Sequence, residues 1–357
     1  MNVKIDRIHF HTFDSLRFIS FLFVFLHHSS IPENTILHYF SRSGGIGVAF
    51  FFVLSGFLIT YILILEKINN HNKIPLKKFF KRRILRIWPL YYAMVFFAFC
   101  TPLILSFLHL PYSDEGYSPK WFFTLTFLEN YMMMYTGSFP NVSPLRVMWS
   151  LCIEEHFYII WGLILYGISL KNIPKLILIS IIIPFIAKII YGIYHIPPLD
   201  IFTNLDYFAF GAIPAYIFIF RKDIIKRVNE IPAGYKYLFS GVVLIIIVVL
   251  SNTSIITDLK YVSLILGVLF STLILFTLGE KNVFKISDKS VFAWLGKYTY
   301  GLYLIHLICI IFLTRIGSQY HLNWVVTVIL SFLMTVLLSF LSYHLFEKQF
   351  LKLKKSA

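Results

Sequence analysis

Apolar residues in this chain come in long, nearly unbroken runs, not in the alternating or one-faced patterns of soluble strands and helices. Windows of about 20 residues, the length needed to cross a bilayer as a helix, pick out ten candidate spans. They lie near 10–29, 44–65, 87–109, 149–169, 174–193, 204–220, 237–251, 259–278, 295–314 and 323–346. The expected fold is an all-α integral membrane protein, a bundle of about ten transmembrane helices with N- and C-termini cytoplasmic. Little chain remains between the spans, so residues 1–357 read as a single transmembrane domain with no appended soluble domain. The longest intervening stretch, 110–148, holds an aromatic segment, Trp121–Leu128, suited to an interfacial or re-entrant helix. The first span contains Arg17 and lacks a small-residue cleavage site, which argues against a removed signal peptide.

Composition agrees with the pattern. A 58% hydrophobic and 14% charged chain has more apolar surface than a soluble domain of this length can bury. The net charge of +15 invites a nucleic-acid reading, but its distribution explains it otherwise. With ten spans and a cytoplasmic N-terminus, the inner side receives Lys67 through Arg86 with eight Lys/Arg, and Arg221 through Lys236 with five. It also receives Lys348, Lys352, Lys354 and Lys355. The outer side receives only Arg42, Lys120, Arg146, Lys188, Lys260 and Arg315. That asymmetry is the positive-inside rule, so the bilayer is the expected partner and nucleic acid is not. Cys100, Cys152 and Cys309 are odd in number and lack ligand spacing; no disulfide framework and no metal site is expected.

Against this apolar background the polar residues carry information. Arg17 and His28 are eleven residues apart in one span, about three helical turns, so they share a face at about 16 Å separation. A cation in hydrocarbon costs roughly 2.5–3.5 kcal/mol on insertion scales, and such residues usually face a polar cavity. The assumed topology places His28 near the outer end of its span, and Glu154 one to two turns below the outer surface on the fourth. An imidazole level with a carboxylate is a general-base arrangement. The other reading is a histidine snorkelling to the headgroups, which suits neighbouring His27 better. Arg82, Arg83 and Arg86 crowd the start of the third span. They read either as positive-inside anchors or as a phosphate clamp for a cytoplasmic ligand, since each guanidinium can chelate an anion. Gly44, Gly45 and Gly47 suit close helix packing, and Ser55-Gly56 interrupts the second run. Tyr300, Tyr303 and His306 recur at helical spacing in the ninth span.

Six segments, in order, resemble the integral-membrane acyltransferase-3 family. They are Asp14-Ser-Leu-Arg17 with His28, Gly47 through Gly56, Arg82-Arg-Ile-Leu-Arg86-Ile-Trp-Pro89, Trp149 through Tyr158, Leu295 through His306, and Phe346-Glu347. The resemblance runs over residues 14–347 and implies a multi-pass O-acetyltransferase of the bacterial cytoplasmic (inner) membrane. Such an enzyme takes acyl-CoA, usually acetyl-CoA, as co-substrate and a hydroxyl of a surface or lipid-linked glycan as acceptor, without a metal. On that reading Arg82, Arg83 and Arg86 hold the phosphates, and His28 oriented by Glu154 deprotonates the sugar hydroxyl. Arg17 steadies negative charge on the donor or the tetrahedral intermediate; Ser55, Tyr303 and His306 line the passage. The competing class is a transporter or proton-coupled carrier with Arg17, His28, Glu154 and His306 as a polar relay.

Overall fold

A computed structural model describes residues 6–107, 109, 115–253, 259–279 and 282–353; the tail lysines Lys354 and Lys355 lie outside them. Among the described residues there are ten helices of 17 or more residues, one for each predicted span. They are α1 (Thr12–His28), α2 (Gly44–Asn69), α3 (Leu76–Phe107), α4 (Trp149–Gly167), α5 (Ile173–Ile193), α6 (Ile201–Phe220), α7 (Ala233–Asn252), α8 (Leu259–Thr277), α9 (Thr299–Gln319) and α10 (Trp324–Ser342). Pairing of extended chain is confined, among the described residues, to an isolated bridge between Tyr117 and Pro140. The protein is an all-α membrane protein.

Eight of these helices are long and apolar enough to cross a membrane. The exceptions are α1 and α4. With 17 residues, α1 is about 25 Å long, short of a hydrocarbon core of roughly 30 Å. Helix α4 is long enough but carries Glu154, Glu155 and His156 consecutively. These two helices hold Arg17, His28 and Glu154, and the others wall them in. Helices α5, α7 and α10 form much of that wall, turning Leu178, Ile182, Ile186, Leu244, Ile245, Ile329, Leu333 and Leu337 outward, as lipid-facing helices do.

Helix α2 is the centre of the bundle, enclosed along most of its length. Small residues make this possible. A Cβ at Gly56 would lie 2.1 Å from the Phe208 carbonyl oxygen, and one at Gly211 would lie 1.9 Å from the Val53 carbonyl oxygen. The backbones of α2 and α6 therefore touch at two reciprocal points, the close approach that small residues permit in membrane helices. Buried polar groups lock further joints. Trp161 Nε1 donates to Thr60 Oγ1 at 2.9 Å. Lys67, expected at the inner surface, is instead buried; its Nζ donates to the carbonyls of Leu165 (2.7 Å), Tyr166 (3.2 Å) and Ile168. An ammonium on the unpaired carbonyls ending α4 satisfies them and complements the helix dipole. Lys188 is likewise not an outer-surface charge. It is buried against Asp206 (2.5 Å) and Ser263 (2.7 Å), tying α5, α6 and α8.

The stretch before α4 dips into the bundle. A short helix, Trp121–Leu125, and a second, Glu129–Thr136, meet at Phe127, which adopts φ 58° and stacks on Tyr91 at 4.1 Å between ring centroids. Glu129 and Asn130 are wholly buried, and the Tyr117 hydroxyl donates to Glu129. Within Trp121–Leu128 itself, Trp121, Phe122 and Leu125 are exposed while Thr124 and Phe127 are buried, a one-sided pattern that suits the interfacial reading. A 3₁₀ turn, Ser143–Val147, follows with Leu145, Val147 and Met148 in the core. Helix α4 thus begins inside the bundle and not at its surface.

The contact between α2 and α6 involves backbone atoms, so side-chain repacking cannot relieve a larger residue there. Gly211→Leu is expected to cost roughly 3 kcal/mol or more, seen as a fall in Tm of the detergent-solubilised protein. Gly45→Ala, at a position with nothing within 4 Å, should leave Tm unchanged.

Candidate active site

The end of the bundle that carries Arg7, Glu66 and Arg82 (the basic end) opens into a cavity of about 860 Å³ of empty space. Four helices meet around it: α1 supplies Arg17, α2 supplies Ser55, α3 supplies Arg83 and Arg86, and α4 supplies Ser150, Glu154 and Tyr158. Lys297, Tyr300 and Tyr303 close it from the start of α9. Ser150, Glu154 and Tyr158 are four residues apart, so they form one stripe along α4.

Glu154 accepts a hydrogen bond from Ser55 Oγ at 2.7 Å and another from the Tyr158 hydroxyl at 3.0 Å, so both carboxylate oxygens are engaged. Arg17 and Arg83 lie within electrostatic reach of it. Arg83 has its guanidinium over the Phe79 and Tyr158 rings, 5.9 and 5.6 Å from their centroids. Arg17 reaches back to Asp14 at 3.3 Å and is flanked by Arg86. Within the recess, Arg17, Arg83, Arg86 and Lys297 face one carboxylate. Like charges this close repel, and an anionic ligand relieves that repulsion. Glu347 approaches Arg86 from outside the cavity lining. It belongs to a π-helical turn, Tyr343–Glu347, that continues α10 and packs with Ser339 against Gly301.

Arg82 does not line this recess. One residue of helix is about 100° of rotation, and it turns Arg82 toward Glu66 at 3.8 Å in a small groove with Arg7, which Arg83 also borders. The expected three-arginine clamp is therefore Arg83 and Arg86 joined by Arg17, with Arg82 at the rim.

His28 does not pair with Glu154. Its Nδ1 lies 3.0 Å from the Val24 carbonyl oxygen and 3.1 Å from His306 Nε2. The expected common level fails because α4 starts inside the bundle. Ser150 Oγ and the Tyr303 hydroxyl are 2.7 Å apart; from there α4 descends four residues to Glu154 while α9 rises three to His306. The two groups are thus about 10 Å apart along the bundle axis. His27, beside His28, has its Nδ1 2.9 Å from the Ser41 carbonyl oxygen, a structural tie to the Ile36–Ser41 helix.

The histidine pair defines its own proton positions. His306 Nδ1 is 2.7 Å from the Tyr303 carbonyl oxygen, which can only accept. His306 therefore carries its proton on Nδ1 and presents a bare Nε2, and the partner on that nitrogen must be His28 Nδ1–H. His28 is left with Nε2 unprotonated, the form in which a histidine acts as a base. His306, wholly buried, is a positioning residue for His28.

Ser55 and Tyr303 line the cavity, and His306 lies one turn beyond Tyr303. Tyr158, Ser150 and Lys297 were not singled out from the sequence. The four-residue stripe Ser150-Glu154-Tyr158 was the signal that points to two of them. The proposed carrier relay splits in two: Arg17 groups with Glu154 and His28 with His306, and among the described residues no hydrogen bond joins the groups. His9, His11 and Asp288 are the described residues that could together hold a metal ion. They lie near the basic end, away from this cavity.

The structure is thus a helical membrane bundle enclosing a cationic recess, with an oriented histidine pair beyond it. Residues 10–344 match the acyltransferase domain of the acyltransferase-3 family, and the chain belongs to that family. It is 27% identical over 94% of its length to the putative peptidoglycan O-acetyltransferase YrhL of Bacillus subtilis, covering 54% of that protein. It is 28% identical over 82% of its length to the peptidoglycan O-acetyltransferase OatA of Listeria monocytogenes, covering 48%. An uncharacterized protein of Haemophilus influenzae is 30% identical over 65% of this chain and 98% of its own. The chain thus spans about half the length of the first two relatives. No solved structure matches it significantly.

The tautomer assignment is directly measurable. With ¹⁵N-labelled histidine, His28 should show a protonated Nδ1 and a bare Nε2. His306→Ala should keep Nδ1 protonated, because the Val24 carbonyl 3.0 Å away still accepts from it, and should shift the Nδ1 resonance as the second acceptor is lost.

Proposed function

We propose that the protein moves an acyl group, in the first instance acetyl, from cytoplasmic acyl-CoA to a hydroxyl of a cell-surface or lipid-linked carbohydrate. The observation that carries this reading is the cationic recess at the basic end, with an oriented, unprotonated histidine nitrogen deeper in the bundle. On this reading the membrane is the bacterial cytoplasmic one, and the Lys/Arg bias supports a basic end and both termini on its cytoplasmic side. Acyl-CoA is cytoplasmic and multiply anionic; Arg83 and Arg86 bind its phosphates at the cavity mouth and Arg82 guides them from the rim. The pantetheine arm runs inward past Ser55 and Tyr303 toward the histidine pair.

The acceptor approaches from the other side. His28 Nε2 removes the hydroxyl proton as the oxygen attacks the thioester carbonyl. Collapse of the tetrahedral intermediate breaks the C–S bond, and the thiolate leaves with the proton as CoA–SH. Of the two tasks open for Arg17, the one on the donor fits. Its Cα is about 16 Å below that of His28, too far for the guanidinium to reach an oxyanion formed there. Glu154 holds Ser55 and Tyr158 in place and keeps the recess from being wholly cationic. The relatives named as peptidoglycan O-acetyltransferases make peptidoglycan the first acceptor to try.

Purified protein with labelled acetyl-CoA and a glycan acceptor tests the reaction. His28→Ala should lower turnover about 10²–10⁴-fold with donor binding retained; unchanged turnover removes His28 from the mechanism. Arg83→Ala and Arg86→Ala should each raise the KM for acetyl-CoA about tenfold or more, the scale of a lost charged hydrogen bond. Arg82→Ala should have a smaller effect. Direct transfer leaves no acylated protein when donor is supplied alone, and a stoichiometric adduct by mass spectrometry would replace it with a two-step route.

A further inference from the structure

A second cavity opens beyond the histidine pair, at the end of the bundle away from the arginines. It has about 830 Å³ of empty space between the end of α1, the end of α9 and the start of α10. Its position is set by the chain. Ser29, in its wall, directly follows His28, and Ile310, also in its wall, is one helical turn past His306. The histidine pair therefore lies between the cationic recess on one side and this cavity on the other.

The chemistry of the two cavities differs. No Lys, Arg, Asp or Glu lines the second one. Its polar atoms are chiefly hydroxyls, and several already donate to their own helix. Ser29 Oγ donates to the Phe25 carbonyl at 2.8 Å, Thr327 Oγ1 to Asn323 at 3.3 Å and Ser331 Oγ to Thr327 at 2.7 Å. A hydroxyl that has spent its proton still has a lone pair free to accept. The wall thus offers acceptors to a ligand rich in O–H donors, with the Trp324 indole beside them. An amphipathic aromatic ring suits the apolar C–H face of a sugar. The coenzyme's phosphates find no Lys or Arg here, His321 being the titratable side chain in this wall.

We propose that this cavity is the acceptor subsite, binding one neutral sugar residue of a glycan and presenting its hydroxyl to His28. The inference rests on the transferase reading for its role in the reaction, but not for sugar binding itself. The full chain in detergent is titrated with chitotetraose and with maltotetraose, binding being followed by saturation-transfer difference NMR. Ser318→Trp, at an exposed rim position, narrows the cavity, and Trp324→Ala removes the indole. Both should weaken oligosaccharide binding at least tenfold. In the coupled assay they should raise the oligosaccharide KM by the same factor while the acetyl-CoA KM stays within twofold. If neither oligosaccharide binds, or both variants bind as the wild type does, the subsite is overturned. If binding follows the prediction but the wild type transfers no acetyl group, the transferase reading fails and the sugar site stands.

Discussion

A guanidinium inside a membrane-spanning bundle has to be kept from lipid and given polar neighbours, at a cost of roughly 2.5–3.5 kcal/mol where this fails. Arg17, Arg83 and Arg86 meet that requirement together by sharing a recess with Glu154, which Ser55 and Tyr158 hydrogen-bond in place. Helix α1, the shortest of the long helices, carries Arg17; α3 carries the other two arginines and α4 the carboxylate. The more apolar α5, α7 and α10 take the outer positions. The reciprocal glycine contact of α2 with α6 then allows one helix to run through the middle of the assembly without pushing its neighbours apart.

Most of the architecture was legible in the sequence because apolar run length depends on bilayer thickness and little else. All ten spans are helices, and Gly44 and Gly47 pack as small residues were expected to. The pairing of Arg17 and His28 on one face also followed from helical spacing alone. What spacing could not supply was depth across helices. Placing Glu154 beside His28 assumed that α4 starts at the surface, and the buried 3₁₀ turn at Ser143–Val147 removes that assumption. The split of Arg82 from Arg83 and Arg86 and the contact between His28 and His306 depend on rotations of packed helices. No single span records those. Lys188 shows the same limit: near a span's end it reads as a surface charge, yet Asp206, 18 residues on, draws it inside.

Family membership and geometry contribute different things. The match over residues 10–344 says which segments belong together, while the coordinates say how they meet. The reading from the residues gave His28 the Glu154 carboxylate, and the coordinates give it His306 instead. An imidazole held by a second neutral imidazole has a defined tautomer without the added basicity that a carboxylate partner would confer. For the proposed transfer, a base of that kind suits a hydroxyl attacking a thioester, where the departing thiolate is itself a ready proton acceptor.

The wide turn at Tyr343–Glu347 has a consequence for the far end of the chain. Eight residues of regular helix would leave Glu347 about 80° around the axis from Ser339. Both nonetheless abut Gly301, because a π turn absorbs roughly one extra residue. Helix α10 can in this way keep Thr327, Ser331, Thr335 and Ser339 buried in a single seam and still deliver its one acid to that seam's end. The phase of the closing segment is decoupled from the phase of the helix before it, so an insertion that would ordinarily be a defect acts as a rotary joint.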